Sequence, residues 1–405
     1  MSSPLHAPTV VGSEPPTWLV QIVRAAALQL APQLTQRGAS LAYLRLVGLK
    51  DLLQHADQIA REALSQVPSR RIVLVIDCAH EGYAPDKRLP KALFDLSASL
   101  TGKEIAFIFN QTSEVFAEQV GPAAARAGVR CAFTTFHSFF ETQLRTVLRD
   151  GAVSTALKLL NRTPAKRLMC LNYKPRLHRL LALDFLASHY GRDEVIGTFG
   201  GAETVAGWPW QRVMREDAAD FPGAPEAADL MARVGAFATP VNSSKGAPYS
   251  ALVYGLPFAE ARETFASLVT ESEMSDGSIK RFTEKSLKAL AVGHPVVVAG
   301  NPGTVSSLAL LGFDMLEHEI DHSYDSDPNP ERRLRAVLKQ AKRLGDLDVE
   351  ARSNFLRRNR DRLENNVRLF DGRLLAFMLP WWSSQLTNAV MTTLADWPST
   401  SPTAD

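Results

Sequence analysis

Cysteine is nearly absent. The chain has three in 405 residues, Cys78, Cys131 and Cys170, widely spaced and without a CxxC pair. That excludes a disulfide framework and a cysteine-rich zinc site, and it fits a reducing cytoplasm. Long apolar runs are missing too. None reaches the ~18 residues that a membrane span needs. The greasiest late stretch, Leu374 to Trp382, is short and contains Pro380. No basic segment followed by an apolar one opens the chain, so no secretory leader is expected. An excess of one charge is also lacking. Lys and Arg number 45 against 43 Asp and Glu, a formal net charge of +2, so no global field selects a nucleic acid.

What is present is the composition of a globular protein, 45% hydrophobic and 22% charged. A chain of this length exceeds one ordinary core. Residues 1–16 and 397–405 are rich in Pro, Ser and Thr and read as flexible tails. Between them, short β-branched and aromatic runs alternate with helical stretches. Ile72–Ile76 and Ile105–Phe109 read as strands buried on both faces, and the run from Val129 to Phe136 as a third strand. After Asn161–Arg167 the pattern restarts, with strands at Arg167–Asn172, Val195–Gly201, Phe265–Thr270 and Pro295–Ala299. A further strand is expected at Phe313–Leu316. Residues 202–250, rich in Pro, Gly and Trp, resist ordering. Strands alternating with helices mean parallel sheets with helical crossovers. The expected fold class is α/β, two doubly wound Rossmann-like domains facing a cleft. Their boundaries are set at 17–162 and 163–350, and closing helices at 351–396 are expected to pack back on the first domain.

In open α/β sheets, ligands sit outside the carboxyl ends of the strands, against helix N-termini. Three stretches fall there. The first is FTEKSLKALAVGHPVVVAG, Phe282 to Gly300. Thr283 is a natural N-cap, and free amides at that helix start favour an anion such as a diphosphate. Lys285 would add a mobile positive charge, and Glu284 would accept hydrogen bonds from ribose hydroxyls. The bland alternative is an ordinary first-turn acid beside a solvated lysine. The second stretch is CLNYKPRLHR, with Lys174, Arg176 and Arg179 crowding a strand-to-helix turn. Basic residues at a helix start run against its dipole and so ask for a reason; a bound diphosphate is one, helix capping another. The third is IDCAHEGYAPD. Asp77, His80 and Glu81 sit on one loop and offer a general base; an ordinary polar loop is the alternative. Asn301, in the Asn-Pro-Gly turn that follows the last strand, points to the same edge. The acidic run Asp321 to Asp327 lacks the spacing of a calcium loop, so no metal is expected.

The Thr283-Glu284-Lys285 stretch resembles the donor-site motif of α1,3-fucosyltransferases. There, Thr-Glu-Lys opens a helix followed by Ala-x-x-x-Gly, here Ala289 to Gly293, and a Pro-Val strand. More broadly it is similar to the nucleotide-binding half of GT-B glycosyltransferases. The continuation LLGFDMLEHEIDHSYD resembles uncharacterised bacterial and phage glycosyltransferase-like proteins. The resemblance implies a GT-B-like fold whose first domain takes the acceptor and whose second takes a nucleotide-diphosphate sugar, a GDP-sugar first. It implies Glu284 on the ribose and Arg176 with Lys285 on the diphosphate. It also implies inverting transfer to a hydroxyl acceptor with no metal or cofactor; the base such a transfer needs is read from the loop after the first strong strand, Glu81 or Asp77, with His80 as their rival. The acceptor class stays open among a glycan, a lipid-linked glycan, a protein and a modified nucleic acid. The expected location is the cytoplasm, compatible with peripheral attachment to the inner membrane. Two alternatives remain: a non-catalytic binding or assembly protein on the same scaffold, and a phage-type glycosyltransferase that modifies nucleic acid.

Overall fold

The computed structural model describes residues 9–11, 17–45, 58, 64, 67–77, 88–100, 102–110, 114–134, 151–200, 210–239, 255–276 and 282–399. The chain divides into two compact units. Met1–Thr142 with Ala376–Asp405 form the first, and Gln143–Leu375 the second.

The first unit holds β1 (Thr9–Val11), β2 (Ala39–Arg45), β3 (Arg71–Asp77), β4 (Glu104–Asn110) and β5 (Arg130–Thr134), all parallel and adjacent in chain order. The continuous apolar runs were the correct signal. Ile72 to Ile76 and Ala106 to Phe109 are buried, because helices cover what a parallel sheet would otherwise expose. Leu89–Ala98 is one such helix, and its Leu93 and Leu96 join Leu74 and Phe107 in the core.

Both expected tails carry structure. β1 lies in the N-terminal one and pairs with Ala42 to Leu44. In the C-terminal one, Trp397 is 1% exposed, with the guanidinium groups of Arg71 and Arg130 over its ring at 5.8 and 5.7 Å. A Pro- and Ser-rich composition said "mobile", but one large aromatic with two cations above it is enough to dock a chain end.

The second unit holds β6 (Lys166–Leu171), β7 (Val195–Gly200), β8 (Ala238–Thr239), β9 (Thr264–Thr270) and β10 (Val296–Ala299), again parallel, in the order β10-β9-β6-β7-β8. The chain moves from β6 outward to β8, then jumps back across β6 to β9. The direction of winding therefore reverses between β6 and β9, which makes this sheet doubly wound. Every residue of β9 is buried.

Three sequence expectations need correction. The stretch 202–250, left without an order, contains helices Trp210–Asp217 and Ala227–Val234 as well as β8. Leu230 and Val234, four apart, are buried on one helix face. Phe313–Leu316 is irregular chain between two turns rather than a strand. Its apolar side chains are buried, but its backbone goes elsewhere: Asp314 N–H donates to Asn366 Oδ1, Leu316 N–H donates to Asp314 Oδ1, and Leu316 sits at φ 58°. Side-chain acceptors outcompeted the ladder there. The closing group 351–396 is split. Val349–Arg358 and Arg360–Arg368 belong to the second unit, where Phe355 packs edge-on to Phe265 at 5.2 Å, and the chain enters the first unit at Ala376. Among the described residues no helix is long and apolar enough to cross a membrane.

Candidate functional site

The switch point between β6 and β9 gathers the predicted residues of the second unit. β6 runs out into Asn172, and β9 into Thr270 and Glu271. The Thr270 hydroxyl donates to Asn172 Oδ1 at 2.5 Å, and Asn172 N–H donates to the Thr198 carbonyl of β7 at 2.9 Å. Three strand ends are thus tied at one edge.

From this edge the helix Leu177–His189 sends two basic side chains inward rather than outward. Arg179 is buried; its Nε and Nη2 donate to the Glu271 carbonyl at 3.2 and 2.9 Å, and its Nη1 to the Lys174 carbonyl at 2.9 Å. His178 Nε2–H donates to the same Glu271 carbonyl at 2.9 Å. Burial lowers the Arg179 pKa to about 10, and burial beside that cation holds His178 well below its ordinary value, hence neutral. Arg176 Nε donates to the Ser272 carbonyl at 3.3 Å, and its Nη1 stands 3.7 Å from Asp217 Oδ1. The question posed by basic residues at a helix start has a structural answer: Arg176 and Arg179 hold the peptides just beyond β9.

Glu271 was not anticipated. Its side chain is 1% exposed and meets the start of the helix Glu284–Ala291. Oε1 accepts from Thr283 N–H at 3.0 Å and from the Ser286 hydroxyl at 2.6 Å, and Oε2 accepts from the Thr283 hydroxyl. A carboxylate at a helix N-terminus matches the dipole and satisfies donors the helix leaves open. Thr283 is the N-cap, with extended backbone at φ −125°. A glutamate directly after a buried strand, twelve residues before a capping threonine, was the available signal.

On the far side of that cap lies a cavity of about 310 Å³. Its floor is the sheet face: Met169 and Leu171 of β6, Ser267 and Val269 of β9. One wall is the helix Glu284–Ala291, which contributes Glu284, Lys285, Lys288 and Ala289. Asn172, Tyr173, Thr198 and Glu260 complete the polar lining. Lys285 Nζ is 2.8 Å from Glu284 Oε1, 3.1 Å from Thr283 Oγ1 and 3.4 Å from Ser272 Oγ. Both charged side chains are largely covered, at 12% and 17% exposure for Glu284 and Lys285, so the pair is a wall and not a solvated surface contact. Burial pushes the Glu284 carboxyl up, but Lys285 and Lys288 overcome it and leave its pKa below the ordinary value, so the group is ionised. Burial lowers the Lys288 pKa to about 8, against the pull of Glu284. The sequence reading passed over Lys288, one turn beyond Glu284, although helical spacing puts it on the same face.

Beneath the floor, Ser267 Oγ donates to His294 Nδ1 at 2.9 Å, and His294 Nε2–H donates to the Ala261 carbonyl at 3.0 Å. The carbonyl accepts only, which fixes the tautomer.

Other candidates lie elsewhere. Asn301 is buried, its Oδ1 accepting from Ser275 N–H at 2.7 Å, and it does not line the cavity. Asp77 ends β3 in register with Arg45 and Asn110; His80 and Glu81 lie outside the described residues. The acids of 321–327 serve as caps: Asp325 accepts from Val305 and Ser306 N–H, Asp321 from Ser323 N–H, Asp327 from Asn329 N–H. Among the described residues no three His, Cys, Asp or Glu side chains are grouped as a metal site would require.

No family model matches this chain, and neither does any curated protein. Among solved structures, an alpha,alpha-trehalose 6-phosphate synthase from Burkholderia multivorans aligns over 93% of this chain and 76% of its own, at 14% identity and a TM-score of 0.39.

Proposed function

We propose that this protein is a glycosyltransferase whose second unit binds a nucleotide-diphosphate sugar, with a GDP-sugar as the first donor to test. The observation that carries the reading is the covered Glu284–Lys285 pair on the wall of a cavity beside the β6/β9 switch point. Open α/β sheets bind their ligands at such reversals. A cavity of this volume, apolar beneath and polar at one wall, suits a small organic ligand with a charged end.

Each residue has a distinct part. Lys285 meets the diphosphate, helped by the positive end of its helix, and stabilises the negative charge that grows as the bond to the sugar breaks. Glu284, kept ionised by its two lysine neighbours, accepts from ribose hydroxyls. Glu271 and Thr283 fix the helix start that presents both. Arg176 turns toward the phosphates only by giving up its bond to the Ser272 carbonyl. In the transfer, an acceptor hydroxyl oxygen bonds to the anomeric carbon, the bond to the diphosphate oxygen breaks, and the hydroxyl proton passes to a base. Inversion and independence from metal are part of the proposal through the fucosyltransferase-like motif.

The test is a thermal-shift screen of the full chain with GDP-, UDP-, dTDP- and CMP-sugars and the free nucleotides. A ligand at a hundred times its Kd raises stability by about 2.7 kcal/mol. The proposal expects one nucleoside diphosphate series to shift the wild type, and Glu284→Ala and Lys285→Ala to abolish the shift. If no nucleotide shifts the wild type at millimolar concentration, or both variants respond as it does, the reading fails.

A further inference from the structure

The cavity wall carries a second lysine to which the proposed function gives no task. Lys288 lies three residues beyond Lys285 and four beyond Glu284, and all three side chains line the cavity. A helix rises about 1.5 Å per residue, so the two lysines are roughly 4.5 Å apart along its axis. At that spacing the two side chains share a helix face and both line the cavity, so two phosphates joined through a bridging oxygen can offer each ammonium group a phosphate of its own.

Among the described residues, the titratable groups that line the cavity with Lys288 are mixed in sign. On its own helix stand Glu284 and Lys285. Elsewhere in the lining, Glu260 comes from the helix Phe258–Glu263, and Tyr173 from the segment that follows β6. Glu284 is held against Lys285 at 2.8 Å, so much of the Lys285 charge is met from within. Lys288 is half-buried and lines the cavity with the apolar Met169, Leu171 and Val269. An anion that reached it would exchange water for a poorly solvated cation, where the attraction is strong.

We propose that Lys288 is a second anion-contacting side chain of this cavity, and that the ligand's two linked phosphates lie along the Glu284–Ala291 helix, one at Lys285 and one at Lys288. The inference rests on the reading of the cavity as a nucleotide-diphosphate site, and it narrows the ligand. Donors that carry one phosphate, as CMP-sugars do, would leave Lys288 unmatched. A further consequence concerns pH. With its pKa lowered to about 8 by burial, Lys288 loses its proton, and its hold on an anion, a little above neutrality, whereas an arginine there would not.

The experiment measures binding of inorganic diphosphate and orthophosphate to the full chain by calorimetry, for the wild type, Lys288→Met and Lys288→Arg, at pH 7 and 9. At pH 7 the wild type is expected to bind diphosphate at least tenfold more tightly than orthophosphate. Lys288→Met should lose about tenfold or more on diphosphate, the worth of one charge-assisted hydrogen bond, and little on orthophosphate. From pH 7 to 9 the wild type should weaken and Lys288→Arg should hold. Equal binding of diphosphate by the wild type and a folded Lys288→Met overturns the proposal. If Lys288→Met does not fold, equal weakening of the wild type and Lys288→Arg with pH overturns it. The two readings fail separately. Should diphosphate bind through Lys288 while nucleoside diphosphates bind no better, the proposed function falls and this inference stands. Should a nucleoside diphosphate bind equally to the wild type and Lys288→Met, this inference falls and the proposed function stands.

Discussion

Glu271 holds Thr283 twice, accepting from its backbone N–H at 3.0 Å and from its hydroxyl, and so the end of β9 sets the start of the helix that lines the cavity. The same residue receives His178 and Arg179 on its carbonyl. Its side chain and backbone thus join helix Leu177–His189, β9 and helix Glu284–Ala291 at one point.

Glu271→Gln tests that junction. The amide keeps the shape but turns one acceptor oxygen into a donor, which then faces the Thr283 or Ser286 donors. Leaving buried donors unmet costs about 1–3 kcal/mol. The expected outcome is a lower melting temperature for the second unit and loss of any ligand-induced shift. Unchanged melting would mean that the cap does not depend on the carboxylate.

Acid should act through Glu284. Its folded pKa lies below the unfolded value, so its ionised form contributes stability above about pH 4.5, and this is lost as pH falls through the folded pKa. Glu284→Gln removes that share. The melting temperature of the wild type should therefore fall more steeply than that of the variant below about pH 4.5. Parallel acid limbs would show that Lys285 and Lys288 do not hold the charge in solution.

Much of this fold was legible. The uninterrupted runs Ile72–Ile76 and Ile105–Phe109 gave buried parallel strands because burial on both faces leaves no room for alternation. Thr283-Glu284-Lys285 was placed correctly at a helix start because its cap chemistry is local. What failed was non-local. Phe313–Leu316 read as a strand, but its backbone is claimed by Asn366, fifty-odd residues away in sequence. Arg179 reads from sequence as a diphosphate contact or a helix cap, and only the tertiary structure shows it buried under the Glu271 carbonyl. Glu271 carried no pattern of its own; its partners are twelve and fifteen residues downstream. The β-edge loop with Asp77, His80 and Glu81 keeps its assignment from sequence alone.

Gly197 in β7 is expected to tolerate no side chain. A Cβ there would stand 2.6 Å from Phe237 Cδ1 and 2.9 Å from Leu183 Cδ2. Both neighbours are packed in the core, and overpacking of this kind costs about 1–3 kcal/mol. Gly197→Ala should lower the melting temperature by several degrees. It should also disturb the cavity, since Thr198 is the next residue and part of the lining. Wild-type melting in the variant would show that Phe237 moves aside without cost.

Trp397 offers the sharpest test of the first unit. Its ring is buried beneath Arg71 and Arg130, its carbonyl accepts from Arg37, and its indole N–H has no partner among the described residues. Trp397→Ala removes the packing and the cation–π contacts together, and should cost about 3–5 kcal/mol. Trp397→Phe also loses area and some cation–π attraction. It gains by removing a buried donor left unsatisfied, a penalty of about 1–3 kcal/mol. Its net effect is therefore expected within about 1 kcal/mol of the wild type. Arg71→Met should weaken the unit more than Arg130→Met, because Arg71 also donates to the carbonyls of Arg37 and Pro398. Two units are expected to melt in separate steps. Scanning calorimetry should show the Trp397 series moving one transition only, and Glu271→Gln the other. If Trp397→Ala leaves both transitions in place, the C-terminal segment is not docked in solution and the expectation of a mobile tail from residue 397 is restored.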